Sequence, residues 1–360
     1  MPLQKEPLDH PLDASSSCSR GLESICYGSS TEPRLVQMTL TSLELCAGGG
    51  GQALGLEKAG FSHVALVDND HFACATLRTN RPLWNTVQMD LRSFDATGYR
   101  RIKLPNGRTQ SLDLLSGGVP CPPFSVAGKM LGVDDPRNLF SEVIRLARES
   151  EPKVVMIENV RGLLDSSFDT YRSEIDFAFS ELGYKSFGLK LLQASSFGVP
   201  QLRPRVIFIA IRPEFADAFK WPVGRNRAPT VGVALQTMMA SNGWTRADAW
   251  AKRANTIAPT LVGGSKLHGG PDLGPTRARA AWEAIGVNGK LIADEPPSRN
   301  FRGMPCLTVE MAAVIQGFDT DWHFVGPKTH AYRQVGNAFP PPVARALGNK
   351  IRQALARSDR

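Results

Sequence analysis

The sequence has little with which to hold a metal ion or build a disulfide framework. Its 360 residues include six cysteines and six histidines. The cysteines, at 18, 26, 46, 74, 121 and 306, form no C-x-x-C pair and the histidines no H-E-x-x-H, which excludes the common zinc patterns and predicts free thiols. No run of eighteen apolar residues occurs, so no segment reads as a membrane span. The opening stretch MPLQKEPLDHPLDASSSCSR has neither the apolar core of a signal peptide nor an Arg-rich amphipathic pattern. A cytoplasmic protein without membrane contact or bound metal is expected. Acidic residues are the third shortage: 34 Asp and Glu face 42 Lys and Arg, a net charge of +8. The excess is concentrated. Between Pro213 and Pro305 twelve basic residues stand against seven acidic ones, five of the eight net positive charges, which favours a polyanionic partner.

What is present suffices for a globular enzyme, since 42% of the residues are hydrophobic. Residues 1–37, rich in Pro, Ser and charge, read as a loosely attached arm. From Met38 the pattern changes to short β-rich runs: TSLELCAG, HVALVD, NTVQMD, SLDLLSGG, KVVMIENV, KSFGLKLLQ and RVIFIAI. Several are nearly continuous apolar runs, as in strands covered on both faces. Between them, Gln52 to Ala59, Phe72 to Asn80, Asn138 to Glu149 and Tyr171 to Leu182 carry helical spacing. Strand and helix alternate up to Ile211, which predicts a doubly wound α/β domain over 38–212. The Gly-, Pro- and Arg-rich region 213–305 predicts a smaller, irregular second domain. Regularity returns after it, and PPPVARALGNKIRQALA predicts a helix, so 306–360 is expected to rejoin the first domain.

The chemistry-bearing residues gather at strand ends. Glycines 48 to 51 turn the first strand into a helix at the edge where parallel sheets bind ligands. Asp68 closes the second strand, placed for ribose hydroxyls, and Asp90 the third. Together they imply a nucleoside cofactor. They do not separate NAD from S-adenosylmethionine, although GGGG fits G-x-G-x-x-G poorly. Cys121, framed by Pro120, Pro122 and Pro123, follows the fourth strand in a segment that can become neither helix nor central strand, so its thiol is either posed for reaction or merely buried. Glu158 ends the fifth strand, where a carboxylate is costly unless used or paired. Arg203 and Arg205, two residues apart, share one side of the last strand.

In this order the motifs ELCAGGGG, GGVPCPPFS, ENV, QLRPR, LTVEMAAVIQGF and RQVGNAFPPPVARALG resemble those of the DNA (cytosine-5) methyltransferases of bacterial restriction-modification systems, over about residues 40 to 350. The resemblance implies a Rossmann-like, S-adenosylmethionine-dependent methyltransferase domain with a target-recognition domain. It makes Cys121 the nucleophile, places Glu158 on the cytosine N3 and amino group, and puts Arg205, helped by Arg203, on the base. It assigns Ala47, Gly48, Gly50, Gly51, Asp68, Asp90, Leu91, Leu139 and Asn337 to the cofactor pocket. It further implies a monomer acting on double-stranded DNA, with base flipping, beside a separate restriction endonuclease. FSVAGKMLGVDDPRNLF, with Gly128 and Gly132 as hinges, becomes the expected mobile loop. Two positions depart from the family pattern: Pro122 stands where many members have Gln, and Cys46 where an aromatic is frequent. An RNA cytosine-5 methyltransferase would share the catalytic set, and a silent DNA-binding regulator would not need it.

Overall fold

Nine strands and eleven α-helices are formed by the residues that the computed structural model describes, 40–104, 107–119, 139–225, 227–264 and 270–357. The arm 1–37, Cys121, and Gly128 and Gly132 of the expected loop lie outside the described residues. Seven strands make one sheet: β1 (Leu40–Leu45), β2 (Phe61–Asp68), β3 (Thr86–Gln88), β6 (Leu114–Gly117), β7 (Val154–Val160), β8 (Lys185–Gln193) and β9 (Pro204–Ile211). The remaining pair, β4 (Ile102–Lys103) and β5 (Thr109–Gln110), is a separate short ribbon.

The sheet order is β3-β2-β1-β6-β7-β9-β8. From β3 to β7 every pairing is parallel, while β9 runs antiparallel to both β7 and β8. The antiparallel placing of β9 has a simple reason. A parallel crossover needs a dozen or more residues. The chain between β8 and β9, residues 194–203, contains one turn of 3-10 helix and can only reverse. Strand order reverses direction between β1 and β6, so the crevice outside their carboxyl ends is the switch point at which such sheets bind ligands.

Strand alternation builds two apolar cores. Leu43 and Leu45 of β1 join Leu115, Val155, Ile157 and Phe208 under α3 (Phe140–Ser150) and α4 (Asp169–Glu181). On the other face Leu114, Met156, Ile207 and Ile209 meet Val343, Leu347, Ile351 and Leu355, the apolar stripe of the C-terminal helix. That helix packs closely on α1 (Gly51–Lys58): a Cβ at Gly55 would lie 2.4 Å from the Pro341 carbonyl oxygen.

The region after Arg212 is less irregular than its composition predicts. Past the short helix α5 (Pro213–Ala216) it forms α6 (Val231–Ala240), α7 (Ala247–Arg253) and α8 (Thr276–Ala284). These contribute Leu235, Met239, Trp250 and Trp282 to a third core, continuous with α9 (Val309–Gln316), α10 (Lys328–Asn337) and Leu54, Leu66 and Leu77 of the sheet side. Leu77 belongs to α2 (His71–Asn80), whose start is capped by the Asp70 carboxylate accepting from the Phe72 and Ala73 N–H groups. The chain ends with α11 (Pro341–Arg357). No helix among the described residues is long and apolar enough to cross a membrane.

Candidate active site

At the carboxyl ends of β1, β2, β6 and β7 lies a cavity of about 850 Å³, within the usual size range of ligand sites. Its floor is the turn between β1 and α1. Gly48 and Gly50 take φ of 54° and 85°, and Cys46 adopts φ 52°, a left-handed conformation rare for a side-chain-bearing residue. Gly51 cannot carry a side chain, since its Cβ would sit 2.2 Å from the Phe339 carbonyl oxygen. The turn is tied from two sides: Gly48 N–H donates to Asp68 Oδ2 at 2.7 Å, and Trp322 Nε1–H donates to the Gly49 carbonyl at 3.1 Å.

Of the residues assigned to the cofactor, Ala47, Gly48, Gly51, Asp68, Asp90, Leu91, Leu139 and Asn337 line this cavity. Asp68 holds the turn through one oxygen and accepts from Asp70 N–H with the other at 2.7 Å. Asp90 accepts from Arg92 N–H at 2.9 Å and pairs with the Arg92 guanidinium. Asn337 Nδ2 donates to the Gly264 carbonyl at 3.2 Å. Gly50 does not line the cavity. Its Cβ would fall 2.7 Å from Trp322 and 2.8 Å from Leu77, so this glycine serves the turn's packing rather than a ligand.

The catalytic set divides in the same way. Glu158, at the end of β7, lines the cavity with Arg205, and Arg205 Nε lies 2.7 Å from Glu158 Oε1 with both side chains about one-eighth exposed. Arg203 does not share that position. Completely buried, it donates to the carbonyls of Leu261, Gly336 and Ala338 at 2.9, 2.8 and 3.0 Å, tying the chain after α7 to the end of α10. The expectation that it helps contact the base is corrected: its bonds go to those three carbonyls and, at 3.5 Å, to the Gln201 side-chain oxygen, and it does not line the cavity. Cys121 lies outside the described residues. Gly118 and Val119, just before it, and Leu139, where the described chain resumes, all line the cavity.

Two lining residues escape sequence reading. Glu44, inside β1 and 1% exposed, has an Oε2 without a hydrogen-bond partner, and the buried Gln52, at the start of α1, lies beside it on the cavity. Burial pushes the Glu44 carboxyl up to about 8, opposed by the Gln52 amide and the Ala53 backbone and reinforced by Asp68. The signal was there to see: a single carboxylate interrupts the apolar LTSLEL immediately before the glycine turn. Burial, with Asp68, Asp90 and Glu44 nearby, also pushes the Cys46 thiol far above its ordinary value, so it is an inert lining group.

A match to the family of C-5 cytosine-specific DNA methylases extends over residues 40–353, all but the arm and the last few residues. The chain belongs to the C-5 cytosine-specific DNA methylases. It is 49% identical over 335 residues to the Type II methyltransferase M.NgoMIV of Neisseria gonorrhoeae, covering 89% of this chain and 100% of that one. To the Type II methyltransferase M.NaeI of Lentzea aerocolonigenes it is 50% identical over 320 residues, covering 88% and 76%. The Entamoeba histolytica methyltransferase EhMeth superposes with a TM-score of 0.60 at 15% identity over 89% of this chain and 99% of that one, a likeness of fold. The methylase transfers a methyl group from S-adenosylmethionine to C5 of cytosine in DNA. The cavity suits that cofactor: its glycine turn permits close backbone approach, the Asp68 and Asp90 carboxylates line it, and Glu44 Oε2 is an unpartnered polar atom on its wall.

Proposed function

We propose that the enzyme methylates one cytosine within a specific double-stranded DNA sequence, acting as the modification partner of a separate restriction endonuclease in the bacterial cytoplasm. The Type II names of its relatives support the biological setting. The observation that carries the chemistry is the Glu158–Arg205 pair on the wall of the cofactor cavity, next to the strand end that leads into Cys121.

Cytosine C5 is too weak a nucleophile to take a methyl group unaided. Cys121 thiolate adds to C6, forming an S–C bond and driving the ring electrons toward C5 and N3. Glu158 supplies a proton or hydrogen bond at N3, and Arg205 holds Glu158 in place. Asp68 and Asp90 would orient the nucleoside of bound S-adenosylmethionine, which would supply an electrophilic methyl group to C5 and leave as the neutral thioether S-adenosylhomocysteine. Loss of the C5 proton to a base then restores the ring as the C6–S bond breaks and the thiolate departs, and Glu158 takes back the proton it gave to N3. Proton assistance of this kind is worth roughly 10² to 10⁴ in rate, more than the tenfold or so that full ionisation of an ordinary thiol would add.

Reaction at C5 and C6 needs the base outside the stack, at a cost of about a few kcal/mol. Residues 213–305 form the target-recognition domain in this reading, their twelve cations contacting phosphate and bases, with 306–360 returning to the catalytic domain. The enzyme works as a monomer, and residues 1–37 are dispensable.

Labelled cofactor incubated with DNA, with RNA, or alone tests the substrate: label is expected in DNA only, and label in RNA alone would replace DNA by RNA in this reading. With 5-fluorocytosine at the target site the C5 substituent cannot leave as a cation, so a denaturation-resistant complex linked at Cys121 should accumulate. Cys121→Ser should abolish that complex. An adduct at Cys46, Cys74 or Cys306 would overturn the assignment.

A further inference from the structure

Three arginines line the cavity, and two of them are neutralised by the protein's own acids. Arg92 pairs with Asp90 at 3.3 Å and Arg205 with Glu158 at 2.7 Å. Arg333, in the second half of α10, has no hydrogen-bond or ion-pair partner among the described residues, and its Nε is buried without an acceptor. A guanidinium stays charged, offers five N–H donors and accepts nothing, so a face of it turned away from water requires an acceptor. Lys328, at the start of the same helix, shows the alternative: it meets Asp294 of the 213–305 region at 2.9 Å.

Arg333 also stands at a seam. A Cβ on Gly263 would lie 2.7 Å from the Arg333 carbonyl oxygen and 2.5 Å from Asn337 Oδ1, and one on Gly336 would lie 2.4 Å from Gly263 Cα. One helical turn beyond Arg333, Asn337 lines the cavity and donates to the Gly264 carbonyl. The second half of α10 therefore joins the cavity to the chain of the 213–305 region with no room for a side chain between them. We propose that Arg333 holds a backbone phosphate beside the extruded cytosine, which makes it a DNA-contacting residue outside the region 213–305. This rests on the double-stranded DNA reading of the enzyme.

The chemistry favours a phosphate over the other incoming anion, the cofactor's carboxylate. That carboxylate carries an ammonium on the same carbon and arrives with its own counter-charge. A phosphodiester has only exchangeable counter-ions, and a nucleotide that leaves the stack brings one on each side of its sugar. Its two non-bridging oxygens match the guanidinium fork. With Arg92 and Arg205 already facing Asp90 and Glu158, Arg333 is the lining cation left for that charge.

Fluorescence-anisotropy titration of the full chain tests this, with S-adenosylhomocysteine present and a labelled duplex carrying the site that the enzyme methylates, located first by mapping methylated cytosines. Each phosphate contact contributes about 0.9 to the slope of log affinity against log salt. Arg333→Gln should weaken binding about tenfold at about 50 mM salt and flatten the slope by about 0.9, so that the deficit shrinks about threefold by about 200 mM. Arg333→Lys should restore the slope and most of the affinity. Calorimetry without DNA should find S-adenosylhomocysteine bound by both variants within about a factor of two of wild type. Replacing the two phosphates that flank the target cytosine, one at a time, by uncharged methylphosphonates should weaken wild type at one position and leave Arg333→Gln indifferent there; the wild-type half of this test needs no variant to fold. An unchanged salt slope in Arg333→Gln overturns the proposal, as does a wild-type enzyme indifferent to both methylphosphonates. Weaker S-adenosylhomocysteine binding with the DNA slope intact gives the guanidinium to the cofactor's carboxylate and also overturns it, and parallel loss of both affinities in Arg333→Gln and Arg333→Lys makes the residue structural. A wild-type enzyme that methylates no duplex overturns the DNA reading itself, whatever Arg333 does.

Discussion

Two buried carboxylic acids stand at opposite edges of the same sheet and are treated in opposite ways. Asp113, at the amino edge before β6, is saturated. It accepts from Thr41 N–H and Oγ1–H at 2.8 and 3.1 Å and from Gln110 Nε2 at 3.2 Å, and pairs with Lys153 at 2.7 Å. Glu44, at the carboxyl edge, keeps an unpartnered oxygen and an acid held near neutrality. The protein's own groups close one edge, where polar atoms serve stability. They leave the other with bonding capacity, which is where a doubly wound sheet meets its ligand. Glu158 belongs to the second class: Arg205 takes one oxygen, and the side chain still faces the cavity.

The largest expected break in this comparison separates rate from stability. Glu158→Gln should lower kcat by about 10² to 10⁴, because the proton at N3 is lost while the shape is kept. Single-turnover methylation with cofactor in excess measures it. A Glu158→Gln enzyme within a factor of three of wild type would remove Glu158 from the chemistry. The two arginines should divide along the same line. Arg203→Met should cost about 3 to 5 kcal/mol in urea unfolding, since three carbonyls lose their donor inside the core. Arg205→Met should instead act mainly on kcat.

Next in size is the acid at the carboxyl edge. Glu44 binds its proton more tightly in the fold than in the unfolded chain, with about 8 replacing the ordinary 4.5. Between those values the native state holds more protons than the unfolded one, so stability falls as pH rises, by at most about 1.4 kcal/mol per pH unit. Below the window the contribution is fully present. Cofactor-free wild type should therefore lose stability relative to Glu44→Gln from about pH 5 to pH 8, measured by denaturant unfolding. A difference independent of pH would show that Glu44 is not buried as an acid.

The contrast between edges also explains what the sequence made legible. All seven strands of the sheet and the helices between them were readable, because runs such as KVVMIENV and RVIFIAI leave no other role for consecutive apolar residues. Direction was harder. The antiparallel β9 depends on the length of a ten-residue connection, which periodicity does not report. Helices α6 to α8 were hidden by the Gly, Pro and Arg around them. At the site, glycines and strand-end acids were legible because their types suit only a few conformations. Arg203 and Arg205 were indistinguishable, since spacing places both on one side of the strand and only tertiary burial sends Arg203 into the carbonyls of two other segments. Glu44 was overlooked because a lone acid in a strand carries no motif of its own; its meaning appears when its missing partner is noticed.

At the amino edge, Asp113→Asn should cost about 1 to 3 kcal/mol, with kcat per folded molecule unchanged. The acceptor for Lys153 weakens, and an amide NH₂ meets donors from Thr41 and Gln110. Loss of turnover without loss of stability would reverse the roles assigned to the edges.

The smallest effect compares two lysines on the same half of the sheet. Lys153 reaches Asp113 with its own side chain 24% exposed and its partner 2% exposed, and its ammonium also lies 5.5 Å from the Phe215 ring centre. Lys185 pairs with Asp217 at 3.0 Å, but the two side chains are 55% and 94% exposed. Water and salt screen the second pair almost completely, and holding two long side chains together costs rotamer entropy. Lys153→Met should therefore cost about 1 kcal/mol or more, because it strips the counter-charge from a carboxylate that cannot hydrate. Lys185→Met should stay within about 0.5 kcal/mol. Unfolding at low and high salt sharpens the test. Salt should erase whatever small effect Lys185→Met has and leave most of the Lys153→Met loss, whereas equal losses from the two variants would mean that Asp113 is hydrated and the amino edge is as open as the other.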